Sequence, residues 1–345
     1  MGGLEKKVKI NQKELKINEI KFDKNPLCEE IGHFLEDFLS DKSTFELKTS
    51  GSTGTPKIIA LDKQAMRASA QATLSFLNLK KGDTALICLS PTYIAGVMML
   101  VRWLEGDLHL ITNSVSSTPL KDIDHTIDFA ALVPFQAEAS LNDLHKVKKL
   151  ILGGAPISKE TETRLLGIDS DIYHTYGMTE TISHIAMRKL GESAFKALPD
   201  VTLAVDEREC LNITAPKIEV HHLQTNDVVQ LISNTEFVWQ GRADFVINSG
   251  GIKFHPEQVE HKINIPDRAF FVAGVTDERL GEKMVLLIEG AEEKLPETAF
   301  VALGKYEKPK EIYFVPSFER TNSGKINRNQ TLAQNERIFA QSGNQ

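Results

Sequence analysis

A chain of 345 residues with 40 Lys and Arg against 47 Asp and Glu carries a formal net charge of −7. That length can bury a sizeable core and favours two domains over one, while the acidic balance and the lack of a basic stripe argue against a nucleic-acid partner. Cys28, Cys88 and Cys210 are single and widely spaced, which suggests neither a disulfide framework nor a thiolate metal site.

In chain order, Met1 to Lys6 has neither the apolar run of a signal peptide nor the hydroxyl of a myristoylation signal. The longest apolar run, Ile94 to Val101, is too short to cross a bilayer. The expectation is a cytoplasmic protein with no stable membrane insertion. Alternation of Val8, Ile10, Leu15 and Ile17 with Lys and Asn predicts a half-buried strand pair. Leu27, Ile31, Phe34, Leu35 and Phe38 fall at helical spacing, and so do residues 65–77.

Short apolar runs at 83–89, 108–112, 129–134 and 148–154 read as buried strands alternating with helices. This is the pattern of an α/β fold with a largely parallel, helix-covered sheet. "LNITAP", "VVQLI" and "EFVWQG" predict antiparallel strands. After a Gly-rich loop a Pro opens a helix, and "AFFVAGV", "KMVLLIEG" and "EIYFVP" give a strand-rich end, so a boundary is expected near Asp244.

The segment "LKTSGSTGTPKII" (47–59) concentrates small polar groups on one loop. Inward-pointing N–H groups of a Gly-rich turn form a nest for oxyanions, and short hydroxyls add donors, so phosphate is the natural guest. The spacing is not that of G-x-x-x-x-G-K-[ST], because Pro56 takes the second Gly position and Ile58 follows Lys57.

This loop resembles the T-S-G-[ST]-T-G-x-P-K loop of the AMP-forming acyl-CoA synthetase superfamily, which includes luciferases and the adenylation domains of peptide synthetases. All nine positions from Thr49 to Lys57 fit. The resemblance implies phosphate contacts from Thr49, Ser50, Gly51, Ser52, Thr53, Gly54 and Lys57. Further stretches resemble the same family in the same order. "LGGAP" implies an adenine-contacting loop at Gly153, Gly154 and Ala155. "YHTYGMTET" implies adenine stacking at Tyr176 beside Gly177, a phosphate-bonding hydroxyl at Thr179 and a Mg²⁺-holding carboxylate at Glu180. "QTNDVV" implies a ribose-binding Asp227, with Asn226 where the family has Gly. "GRAD" implies a nucleotide-binding Arg242 and a hinge at Asp244, and Gly250 and Gly251 would line a tunnel for the pantetheine arm of CoA. "ERTNSGKINR" implies a catalytic Lys325, with Glu319 where Pro is common.

Such an enzyme joins a small carboxylic acid to AMP from ATP and transfers the acyl group to CoA. The family fold is a large amino-terminal domain of helix-covered sheets, here residues 1–243, and a small mobile α+β carboxy-terminal domain, here 244–345. Thr49 comes early, so the first subdomain is shortened, and Tyr93-Ile94 replaces the aromatic-His pair that often gates the acyl pocket. Short members with "YIAG-MMLVR" are similar to the o-succinylbenzoate-CoA ligases of menaquinone biosynthesis, which makes Tyr93, Ser183 and His184 candidate contacts for the acid. Another acid, a carrier-protein acceptor and a non-catalytic adenylate binder are the alternatives. Neither acceptor nor oligomeric state is readable from the sequence. His221-His222 lacks a third ligand at metal spacing.

Overall fold

The computed structural model describes residues 7–11, 13–49, 57–266, 268–320, 326–336 and 339, with backbone alone at 7–9, 48, 49 and 57. The strand pair is β1 (Lys7–Ile10) and β2 (Lys13–Lys16), joined in antiparallel register with Val8 opposite Leu15. Helix α1 (Cys28–Phe38) buries the face carrying Ile31, Phe34, Leu35 and Phe38, as the spacing predicts. A separate hairpin follows, β3 (Thr44–Thr49) and β4 (Lys57–Asp62), with Thr49 opposite Lys57. Asp62 then caps α2 (Lys63–Phe76), its carboxylate accepting from the Ala65 amide at 2.8 Å.

The next elements alternate: β5 (Thr84–Ile87), α3 (Ile94–Gly106), β6 (His109–Thr112), β7 (Ile127–Leu132), α4 (Pro134–Ala139), β8 (Val147–Leu152), α5 (Lys159–Leu165) and β9 (Asp171–Gly177). β1, β6, β5, β7, β8 and β9 lie side by side and parallel. Ala85 and Ile87 pack into one core and Leu86 and Cys88 into another, so the sheet is covered on both faces. β10 (His184–Lys189), β11 (Phe195–Ala197), β12 (Thr202–Val205), β13 (Cys210–Ala215), β14 (Val220–Ser233) and β15 (Glu236–Arg242) extend the sheet in antiparallel fashion. Among the described residues it has thirteen strands.

After one 3₁₀ turn at Ala243–Phe245 the chain enters a second sheet. Its elements are β16 (Ile247–Ser249), β17 (Ile252–Phe254), α6 (Pro256–Lys262), β18 (Phe270–Asp277), β19 (Gly281–Glu289) and β20 (Glu311–Val315), followed by α7 (Arg328–Gln334). Pro256 opens α6, where its missing N–H costs nothing. Met284, Leu286 and Ile288 face one core, Val285 and Leu287 the other. No helix among the described residues is long and apolar enough to cross a membrane.

Candidate functional site

The parallel run of the first sheet ends at β9, whose other neighbour, β10, is antiparallel. Ligands of open α/β sheets bind beyond the carboxyl ends of such strands, where strand order changes. Gly153 follows β8 at this end, and a Cβ there would stand 2.5 Å from Thr175 Oγ1. That hydroxyl donates to the Leu152 carbonyl at 3.0 Å, so only a residue without a side chain lets the loop lie this close to β9. Gly154 has φ +84°, and Gly154 and Ala155 are exposed.

Tyr176 sits one residue before the end of β9. Its ring meets Phe195 edge-on at 5.9 Å and Phe237 at 5.1 Å, and those two rings stack at 5.4 Å. The phenol donates to Asp227 Oδ2 at 2.7 Å. Burial, reinforced by the Asp227 charge, pushes the phenol well above its ordinary pKa, so it stays a donor. Asp227 is buried, and its Oδ1 accepts from Trp239 Nε1 at 3.2 Å. Arg242, its register partner across β14 and β15, brings Nη1 within 3.7 Å. Arg242 also grips Asp244 Oδ2 through Nε at 3.2 Å and Nη2 at 2.7 Å. Asn226 donates to the other oxygen of Asp244 at 3.2 Å. The residue departing from the family pattern thus holds the expected pivot.

Thr179 and Glu180, both exposed, open a 3₁₀ turn, Thr179–Thr181. Thr181, fully buried, ties it down: its hydroxyl lies 3.0 Å from the Met178 amide and 2.7 Å from the Ser183 carbonyl. Ile182 then takes φ +64°, costly for a β-branched residue, and the chain reverses so that Ser183 and His184 run back against Gly177. Tyr176, Gly177, Asp227, Arg242 and Asp244 therefore form one cluster, with Thr179 and Glu180 at its rim.

Ser183 and His184 lie on the far side of that reversal. Ser183 Oγ accepts from Arg102 Nη2 at 2.9 Å, whereas His184 is buried and bonded to Thr73, so Ser183 stands between it and Arg102. Arg102, on α3, is 2% exposed, its Nε has no partner, and no carboxylate lies within ion-pair distance among the described residues. Burial lowers its pKa to about 9, which leaves it charged at neutral pH. Arg102 closes the "YIAG-MMLVR" stretch, but no role was expected for it. An ionisable residue inside the apolar stripe of α3 was the available signal. Tyr93, the N-cap of α3, is exposed.

Gly250 and Gly251 make the two-residue turn between β16 and β17, with φ +59° and +80°. Ser50 to Gly54 and Lys325 lie outside the described residues, as do the side chains of Thr49 and Lys57. The flanks of Lys325 are anchored: Arg320 pairs with Ile326 and with Glu289 at 2.6 Å. Arg328 reaches Glu260 at 2.7 Å and lies over Phe245 and Phe271. Among the described residues no three His, Cys, Asp or Glu side chains form a metal cluster.

Residues 40–212 match the family of AMP-binding enzymes. A crystallised acyl-CoA synthetase (AMP-forming)/AMP-acid ligase II-like protein from Dyadobacter fermentans is 36% identical, with TM-score 0.64 over 92% of this chain and 97% of that one. The chain belongs to the AMP-binding enzyme family. Among its relatives in this family, the 2-succinylbenzoate--CoA ligase of Listeria monocytogenes is 28% identical over 81% of this chain and 68% of its own length. The probable 2-succinylbenzoate--CoA ligase of Mycobacterium tuberculosis is 27% identical over 84% of each. The fold also matches the o-succinylbenzoate CoA synthetase of Bacillus subtilis in complex with the acyl-adenylate OSB-AMP, with TM-score 0.70 and 20% identity over 83% of this chain and 68% of that one. As an AMP-binding enzyme the protein is an adenylate-forming ligase of two-domain fold.

Proposed function

We propose that the protein converts o-succinylbenzoate to its CoA thioester through an acyl-adenylate. The observation that carries the choice of acid is Arg102: a buried guanidinium with no acidic partner among the described residues is costly by itself, and a substrate anion would offset that cost. The acid has one carboxylate to activate and a second that stays free, and the second would pair with Arg102 and Ser183. Relatives named for this substrate support the assignment.

In the first step an oxygen of the substrate carboxylate attacks the α-phosphorus of ATP, and the bond to pyrophosphate breaks. Tyr176 and the Gly153 to Ala155 loop would hold adenine, while Asp227 and Arg242 would hold the ribose. Thr179 and the residues from Thr49 to Lys57 would donate to the phosphates, with Lys325 offsetting charge on the leaving group. Mg²⁺ commonly binds one protein carboxylate together with substrate phosphates, and the exposed Glu180 fits that donor set. When bound, the ion would neutralise phosphate charge.

In the second step the thiol sulfur of CoA attacks the acyl carbon, AMP leaves, and the thiol proton is lost. Rotation of the small domain about Asp244 would withdraw Lys325 and bring Gly250 and Gly251 to the thiol arm. The test is kcat/KM for o-succinylbenzoate, benzoate and octanoate in AMP release with and without CoA. Preference for o-succinylbenzoate is expected. Equal or better use of benzoate or octanoate would reject this acid, and acid-dependent AMP release with a carrier protein but not with CoA would reject the acceptor.

A further inference from the structure

Behind Ser183 a buried run of polar groups crosses three elements. Arg102 Nη2 on α3 donates to Ser183 Oγ at 2.9 Å, and that oxygen is 3.4 Å from His184 Nδ1. His184 Nε2 is 3.0 Å from Thr73 Oγ1 on α2, and the same hydroxyl is 3.1 Å from the Ser69 carbonyl.

The two ends set the direction of every bond. A guanidinium can only donate, so the Ser183 hydroxyl receives from Arg102 and has its own proton free for His184 Nδ1. A carbonyl can only accept, so Thr73 gives its proton to Ser69 and receives one from His184 Nε2. His184 is then a neutral imidazole protonated on Nε2; burial and the Arg102 charge both favour the neutral ring. Turning the ring over would put Cδ2 and Cε1 where Nδ1 and Nε2 now stand and lose both bonds.

We propose that Thr73 and His184 are positioning residues that determine acid specificity: through Ser183 they fix the Arg102 guanidinium, whose Nε has no partner among the described residues, to take the free carboxylate of the substrate. This rests on the o-succinylbenzoate reading above. It gives His184 a part in acid selection without contact with the acid, which its burial behind Ser183 would hinder.

Thr73→Val keeps the shape of the side chain and removes the hydroxyl, while Thr73→Ser keeps the hydroxyl. Steady-state pyrophosphate release gives kcat and KM for o-succinylbenzoate, for benzoate, which lacks the second carboxylate, and for ATP. Thr73→Val is expected to raise KM for o-succinylbenzoate roughly tenfold, with KM for benzoate and ATP changed less than about twofold. Thr73→Ser is expected to restore the wild-type value. A parallel rise for both acids, or no rise, overturns the positioning role and leaves the substrate assignment standing. A wild-type enzyme without preference for o-succinylbenzoate overturns both. Should Thr73→Val fail to fold, His184→Gln cuts the same run at its middle and is read by the same criteria.

Discussion

The phenol of Tyr176 donates to Asp227 Oδ2 at 2.7 Å and so ties the end of β9 to β14 across 51 residues of chain. The bond fixes the ring proposed to meet adenine relative to the carboxylate proposed to meet ribose. Asp227→Asn keeps the size and replaces one acceptor with a donor facing the phenol and Trp239. Hydrogen bonds to charged groups are worth about 1.5 to 3 kcal/mol, so KM for ATP should rise roughly 10- to 100-fold. Tyr176→Phe, which removes the phenol alone, should raise it less. Steady-state kinetics at saturating acid decides, and an unchanged KM in both variants would remove the pair from the nucleotide site.

Lys325→Ala is expected to lower acyl-adenylate formation on the order of 10²-fold or more. Transfer to CoA from supplied acyl-adenylate should stay largely intact, because the proposed domain rotation would withdraw the lysine from the phosphates before that step. Pyrophosphate exchange and thioester formation measured separately give the answer. Equal losses would make Lys325 structural.

Gly177 has no room for a side chain, since a Cβ would approach the Ser183 carbonyl oxygen to 2.5 Å and the backbone of His184 as well. Both obstacles are backbone, so the strands must part. Gly177→Ala should cost roughly 1 to 3 kcal/mol as an overpacked site and displace Ser183. Gly251→Ala meets no atom within 4 Å and carries only the strain of φ +80°, about 1 kcal/mol. Thermal unfolding of both should rank Gly177→Ala as the less stable; the reverse order would contradict the close approach of β9 and β10.

Glu260 accepts from the Val272 amide at 2.7 Å and pairs with Arg328, yet burial outweighs both and raises its pKa to about 7. A carboxyl that binds its proton more tightly folded than unfolded lends stability at low pH. That contribution is lost as pH rises from its unfolded value near 4.5 through about 7. The difference in unfolding free energy between wild type and Glu260→Gln should therefore shift against the wild type between pH 5 and 8, by at most about 3 kcal/mol. Chemical denaturation across that range measures it. A difference that moves the other way would mean that pairing with Arg328 outweighs burial.

The sequence by itself determined the α/β class and the family, because those depend on what adjacent residues do together. Short apolar runs became β5 to β8, and the helical stripe from Ile31 to Phe38 became α1. The motif stretches at Gly153, Tyr176, Asp227 and Arg242 carry their chemistry in local spacing. Tertiary structure alone decided what stands beside them. β5 lies between β6 and β7, the Phe195 and Phe237 rings support Tyr176, and Asn226 holds Asp244. Local periodicity tells which face of a helix is buried but not which residue waits on the other side. Arg102 meets Ser183 at a separation of 81 residues, and Thr73 meets His184 at 111. Whether a buried polar group has a partner depends on such distant neighbours, so the arginine without an ion-pair partner among the described residues and the run that orients it became visible only once the sheet had brought α2, α3 and β10 together.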